Sequence, residues 1–144
     1  MKEKIDFSEA PYQYAMCLNE QCQKATTCLR QIIEQNVPDK IEHWVIISPK
    51  HLSALKGECP YYRSNQKIRY AKGFIGMLDA IPHKQMQSAI SDLMGYFGRR
   101  TYYRSRKGER LLSPSEQQDV LRILKNCGVT SPLDFDLYIE DYNW

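Results

Sequence analysis

The sequence predicts a mainly α, α+β protein: a single compact helical domain over residues 1–144, with a short strand and a small β-hairpin. Three observations predict it. Prolines mark the starts of helices, and apolar residues behind them recur at helical spacing. The short apolar run Trp44-Val45-Ile46-Ile47 reads as a buried strand. Lys107-Gly108 stands inside residues 101–112, where a turn would fold a hairpin.

In chain order, residues 27–35 form the first expected helix. They place Leu29, Ile32, Ile33 and Val37 together before Pro38 ends the run. After the strand at 44–47, Ser48-Pro49 starts a short helix. Residues 67–79 suit a helix except at Gly73 and Gly76, which weaken it. Pro82 opens a helix with Met86, Ile90, Leu93 and Phe97 on one stripe, closed by Gly98. The hairpin over 101–112 follows.

Ser113, Pro114 and Glu116 then make an N-cap, a first-turn proline and a capping box. Val120, Leu121, Leu124 and Cys127 continue that helix inward until Gly128. Ser131-Pro132 starts an acidic C-terminal helix over 131–144, with Phe135 and Ile139 inward.

At 144 residues and 42% hydrophobic content, the chain can bury an ordinary core without metal or disulfide help. Its start, Met1-Lys2-Glu3-Lys4-Ile5-Asp6, is charged with no apolar run behind it, so no signal peptide is expected. No stretch has the apolar length of a membrane span. The expected location is the cytoplasm, without membrane contact.

Five cysteines, an odd number, speak against a disulfide framework, and cytosolic thiols stay reduced. Three of them, Cys17, Cys22 and Cys28, fall within twelve residues, and Cys59 stands before Pro60. Four thiolates complete a closed site for zinc or a [4Fe–4S] cluster. On one continuous helix Cys17 and Cys28 would lie about 16 Å apart, so a shared metal requires residues 17–27 to be a folded loop. The metal clip would then span residues 17–59. His43 or His51 is an alternative ligand. No Cys-x2-Cys knuckle is present, and thiols also serve as small buried hydrophobes, so both readings stand. Cys127, on an apolar stripe, belongs to the core.

The net charge of +3 is unevenly spread. Residues 61–110 carry eleven Lys or Arg against three acids, while the tail from residue 131 has four acids and no base. Tyr61-Tyr62-Arg63-Ser64 recurs as Tyr102-Tyr103-Arg104-Ser105 inside this basic segment. Basic side chains neutralise phosphates and tyrosines stack on exposed bases. Tyr62, Arg63, Lys67, Arg69, Lys72, Tyr102, Arg104 and Arg106 are therefore the candidate contacts for RNA, DNA or a ribonucleoprotein. Tyr102, Arg104 and Arg106 would share a strand face, and Arg63, Arg69, Arg104 and Arg106 one exposed face. The alternative is a metal-free module in which the tyrosines and acidic tail bind a partner protein.

Catalytic signatures are missing: there is no phosphate-binding glycine loop, His-Glu-x-x-His or Gly-x-Ser-x-Gly. Cys59 with His43 or His51 as base has nothing to fix their proximity. A winged helix-turn-helix has the wrong order of hairpin and helices. A non-enzymatic accessory or regulatory protein is expected.

The whole chain resembles an uncharacterised family of short bacterial proteins catalogued as a domain of unknown function. The matching stretches are Tyr14-Ala15-Met16-Cys17-Leu18-Asn19, Cys59-Pro60-Tyr61-Tyr62-Arg63-Ser64, Arg69-Tyr70-Ala71-Lys72-Gly73-Phe74 and Gly108-Glu109-Arg110-Leu111-Leu112-Ser113-Pro114. The resemblance implies no established activity.

Overall fold

Two apolar clusters organise the chain. The computed structural model describes residues 4–130 and 132–144. The chain divides into two compact units: one runs up to Gln66 and takes in Tyr142–Trp144, the other is Lys67–Asp141.

The first unit is built around Ile5, Met16, Leu29, Ile33 and Tyr142. It contains α1 (Leu29–Gln35) and α2 (Pro49–Ala54). Leu29 and Ile33, four apart, bury fully on one side of α1. Ser48 caps α2 by accepting from His51 N at 3.3 Å, with Pro49 in its first turn. The strand expected at 44–47 does not form. Ile46 makes only an isolated parallel bridge to Met16, and Trp44, Val45 and Ile46 stay partly exposed. A four-residue apolar run cannot by itself distinguish a strand from a loop.

The second unit contains β1 (Lys67–Lys72), α3 (Ile75–Asp79), α4 (His83–Phe97), α5 (Arg99–Lys107), α6 (Pro114–Asn126) and β2 (Leu137–Tyr142, whose last residue joins the first unit). Ala89 and Leu93 of α4, and Val120 and Leu124 of α6, are fully buried in one cluster with Phe74, Tyr102 and Leu112. The capping box of α6 is present in full: Glu116 N donates to Ser113 Oγ, and Ser113 N to Glu116 Oε1, each at 3.2 Å. Both long helices follow their expected bounds.

The α+β class stands, but its β part is not a local hairpin. β1 and β2 pair antiparallel from distant parts of the sequence. Residues 101–112, expected as the hairpin, are mostly the helix α5 instead. Gly98 (φ +80°) and Gly108 (φ +84°) frame it. Lys107-Gly108 is thus a left-handed helix stop and not a hairpin turn, two uses of one dipeptide chemistry. Beyond it, Leu112 bridges Ala71 of β1.

The acidic C-terminal helix expected over 131–144 is likewise corrected. Ser131, its expected N-cap, lies outside the described residues, as do residues 1–3 of the charged start. From Pro132 the chain runs irregularly into β2, whose Leu-Tyr-Ile segment suits a strand. Residues 67–79 divide into β1 and α3 at Gly73. A Cβ there would fall 2.8 Å from Asp136 Oδ2, whose carboxylate accepts from Ile75 N at 2.9 Å and Gly76 N at 3.0 Å.

A second cross-link joins α4 to α6. The Tyr96 hydroxyl donates to Asp119 Oδ2 at 2.7 Å. That bond, ahead of burial and the charge itself, pushes the phenol up to about 12. The folded state therefore holds this proton more tightly than the unfolded chain, whose tyrosines ionise near pH 10. The stabilisation is present below about pH 10 and is lost as pH rises toward 12. Asp119→Asn should return the Tyr96 resonance in an alkaline NMR titration toward an ordinary tyrosine midpoint. An unshifted Tyr96 in the parent protein would show that the bond does not persist in solution.

Candidate functional site

Cys17, Cys22, Cys28 and Cys59 all line one small cavity of the first unit, together with Lys24, Arg30, Tyr61 and Tyr62 and the apolar Ile47 and Leu52. The chain between the first three cysteines is a succession of turns. Cys22 N donates to Asn19 O at 3.3 Å, Ala25 N to Cys22 O at 3.0 Å, and Thr27 N to Lys24 O at 3.1 Å. This is the folded loop that a shared site requires, with α1 starting just after Cys28.

Two devices bring the sequence-distant cysteines together. Cys28 forms an antiparallel bridge with Ser64, and Leu29 N donates to Arg63 O at 2.7 Å. Arg30 links the other two segments, donating to Ala15 O at 2.7 Å and to Tyr61 O at 2.8 Å. Those carbonyls lie two residues from Cys17 and two from Cys59. Gln31, buried at 1% exposure, with its amide oriented so that nitrogen meets acceptors, donates to Cys17 O at 2.9 Å.

The cavity holds about 30 Å³, where one water-sized sphere needs roughly 10–15 Å³. An ion or a single small molecule fits. Among the described residues, no three His, Cys, Asp or Glu side chains stand as a set that could hold a metal ion. The thiols surround a common space without being drawn to a common point. Burial pushes the Cys17 thiol up; Asn19 N–H, 3.5 Å from its sulfur, opposes this, and the other three cysteines add to the rise. Neither His43 nor His51 lines the cavity. His51 packs against Tyr61, and His43 borders a separate cleft beside Trp44. Cys127 belongs to the second unit, where its thiol donates to Asp92 at 3.3 Å.

The basic candidates have diverse surroundings. Tyr62 and Arg63 belong to the first unit. The Tyr62 hydroxyl bonds Thr27 at 3.1 Å, and Lys24 Nζ lies 4.6 Å from its ring centre. Arg63 is half-buried and donates to Tyr62 O at 2.9 Å. In the second unit Lys67, Arg69 and Lys72 are exposed on β1, and Arg69 lies 3.7 Å over the Tyr138 ring.

Tyr102, expected on the surface as a stacking residue, is fully buried. The reason is helical phase. In α5, residues 102 and 106 fall on one side and residue 104 on another, whereas a strand would have aligned all three. Burial pushes the Tyr102 phenol up, and the half-buried Arg106 guanidinium partly offsets this without a hydrogen bond of ordinary geometry. Arg104 is exposed.

The residues that sequence reasoning missed are Arg99, Arg100, Tyr103 and Lys107. With Arg104 and Glu109 they line an open cleft of about 660 Å³. The framing glycines Gly98 and Gly108 were the available signal.

The chain belongs to a family of unknown function (DUF6078), whose family model matches residues 1–144. No curated protein and no solved structure matches the chain.

Proposed function

We propose that this protein is a non-enzymatic accessory or regulatory protein of the cytoplasm. In it, Cys17, Cys22, Cys28 and Cys59 ligate zinc or a [4Fe–4S] cluster, and the basic residues contact RNA, DNA or a ribonucleoprotein. The observation that carries the metal reading is that all four cysteines, from two segments, line one cavity. Four thiolates around zinc make a dianionic site, and Lys24 and Arg30 at the cavity wall offset that charge. The Asn19 N–H donates to the Cys17 sulfur, the kind of outer contact that tunes a ligating thiolate.

Elemental analysis and visible absorption of anaerobically purified protein test this. Zinc should appear in stoichiometric amount in a colourless protein, or iron and sulfide in a brown one. A folded protein free of both, with all four thiols reactive, would overturn the metal reading.

A second reading is a metal-free protein-interaction module, favoured by a different observation. Tyr12 is 93% exposed beside an open cleft of the first unit that Trp44 and Val45 also line. Exposed aromatic and aliphatic groups of this kind suit an interface.

A further inference from the structure

We propose that the outer side of α5 is the nucleic-acid surface, and that its ligand is a single strand. Arg99, Arg100, Arg104 and Lys107 would take phosphates, and Tyr103 would stack on a base. This rests on the nucleic-acid half of the function proposed above and is independent of the metal.

Gly98 and Gly108 limit the sequence Arg-Arg-Thr-Tyr-Tyr-Arg-Ser-Arg-Lys to one short helix. Tyr102 and Ser105, three apart, turn inward and are fully buried. That choice fixes the phase of everything else. At about 100° per residue, positions 99, 100, 103, 104 and 107 fall within an arc of roughly 140°. All five are exposed and line the same cleft. Among the described residues, none of the four cations on this arc is held in an ion pair. Glu109 is the single acid at the rim. Unpaired like charges this close repel one another, and a polyanion relieves the repulsion.

Tyr103 supplies what a purely electrostatic patch lacks. It is 37% exposed, and its ring packs at 68° to that of buried Tyr102, with centres 5.1 Å apart. Tyr102 thus holds the ring from beneath among the guanidinium groups. A ring so placed stacks on any base that is free to unstack, which selects single strands over duplexes. The shape agrees, because an open cleft receives a flexible strand, whereas reading a duplex groove needs a projecting helix. A bilayer is disfavoured: the apolar side of α5 faces the core, and Tyr103 is the only large apolar group on the outer arc.

The test is fluorescence anisotropy of a labelled short oligouridylate with the full chain. Four phosphate contacts predict that affinity falls about 50-fold between 50 and 200 mM salt. Arg99→Ala/Arg100→Ala/Arg104→Ala leaves one cation and should show only an about threefold fall. The corresponding triple lysine variant should keep the steep dependence. Tyr103→Ala should weaken binding about tenfold or more with the salt slope unchanged, while Tyr103→Phe binds normally. Circular dichroism of each variant confirms that α5 remains folded.

Parent-like binding by the triple alanine variant would overturn this surface while leaving nucleic-acid binding in place elsewhere. No binding of RNA or single-stranded DNA by the parent at low salt would overturn the nucleic-acid reading itself. Equal affinity for duplex DNA would remove the stacking role of Tyr103. Binding to phosphatidylserine vesicles without binding to RNA would replace the ligand by an anionic bilayer.

Discussion

On the proposed metal reading, Cys17→Ser/Cys59→Ser should bind neither zinc nor a cluster and should lower the thermal midpoint of the protein. The two sites are half-buried, so serine fits without a cavity. They lie on the segments that Arg30 ties together through Ala15 O and Tyr61 O. Structural zinc supplies about 10–16 kcal/mol of apparent binding energy in zinc-finger peptides, which sets a ceiling. The first unit has its own cluster of Leu29, Ile33, Met16, Ile5 and Tyr142, so part of its stability is independent of metal. A loss of several kcal/mol is the expected result. Cys127→Ser serves as the control, because that thiol contacts Asp92 in the other unit. Metal content unchanged in the double variant, or lost in the control, would reject the assigned ligands.

Tyr102→Ala should destabilise the second unit by about 3–5 kcal/mol, the cost of truncating a fully buried aromatic residue. Its ring packs between Phe74, with centres 6.0 Å apart, and Tyr103 at 5.1 Å. Collapse around the hole is limited, because Phe74, Leu112 and Ala71 are also fully buried. Tyr102→Phe tells the packing from the hydroxyl. That hydroxyl is buried without a hydrogen-bond partner among the described residues, so its removal should cost less than about 1 kcal/mol. Amide exchange of α4, α5 and α6 reports both. An alanine variant of unchanged protection but weakened RNA binding would return Tyr102 to the surface role its sequence context suggested.

The parts of the fold legible in the sequence were those specified locally. Ser113, Pro114 and Glu116 write the start of α6 in four residues, and its apolar stripe writes the buried side. In α4 the expected stripe of Met86, Ile90, Leu93 and Phe97 faces the core, with Leu93 fully buried and the other three partly so, while Ala89, outside that stripe, is buried as well. What misled was chemistry shared between alternatives. Lys107-Gly108 satisfies a hairpin turn and a left-handed helix stop equally, and only the packing of Tyr102 and Ser105 decides between them. Phe135 and Ile139, four apart, suit one side of a helix, whereas Leu137 and Ile139, two apart, suit one face of a partnered strand. The partner strand lies at Lys67–Lys72, beyond the reach of any local rule.

The candidate site divides the same way. Clustered cysteines point to one another by type and number, and the structure places all four around one cavity. The basic surface was legible in composition but not in membership. Membership depends on helical phase, so a strand reading selected Tyr102 and Arg106 where the helix exposes Tyr103 and Lys107.

The pairing of β1 with β2 also sets a timetable for synthesis. β2 begins about 65 residues after β1 ends, and its last residue, Tyr142, belongs to the cluster of the first unit. At roughly 5–20 residues per second a ribosome makes that interval last roughly 3–13 seconds. During it β1 has an unpaired edge, and Leu29 and Ile33 lack Tyr142 as a packing partner. Neither unit can reach its final form in the order it is translated. The nascent protein thus passes several seconds with an apolar surface open to chaperones, and a ribosome stalled before residue 137 would leave both units unfinished together.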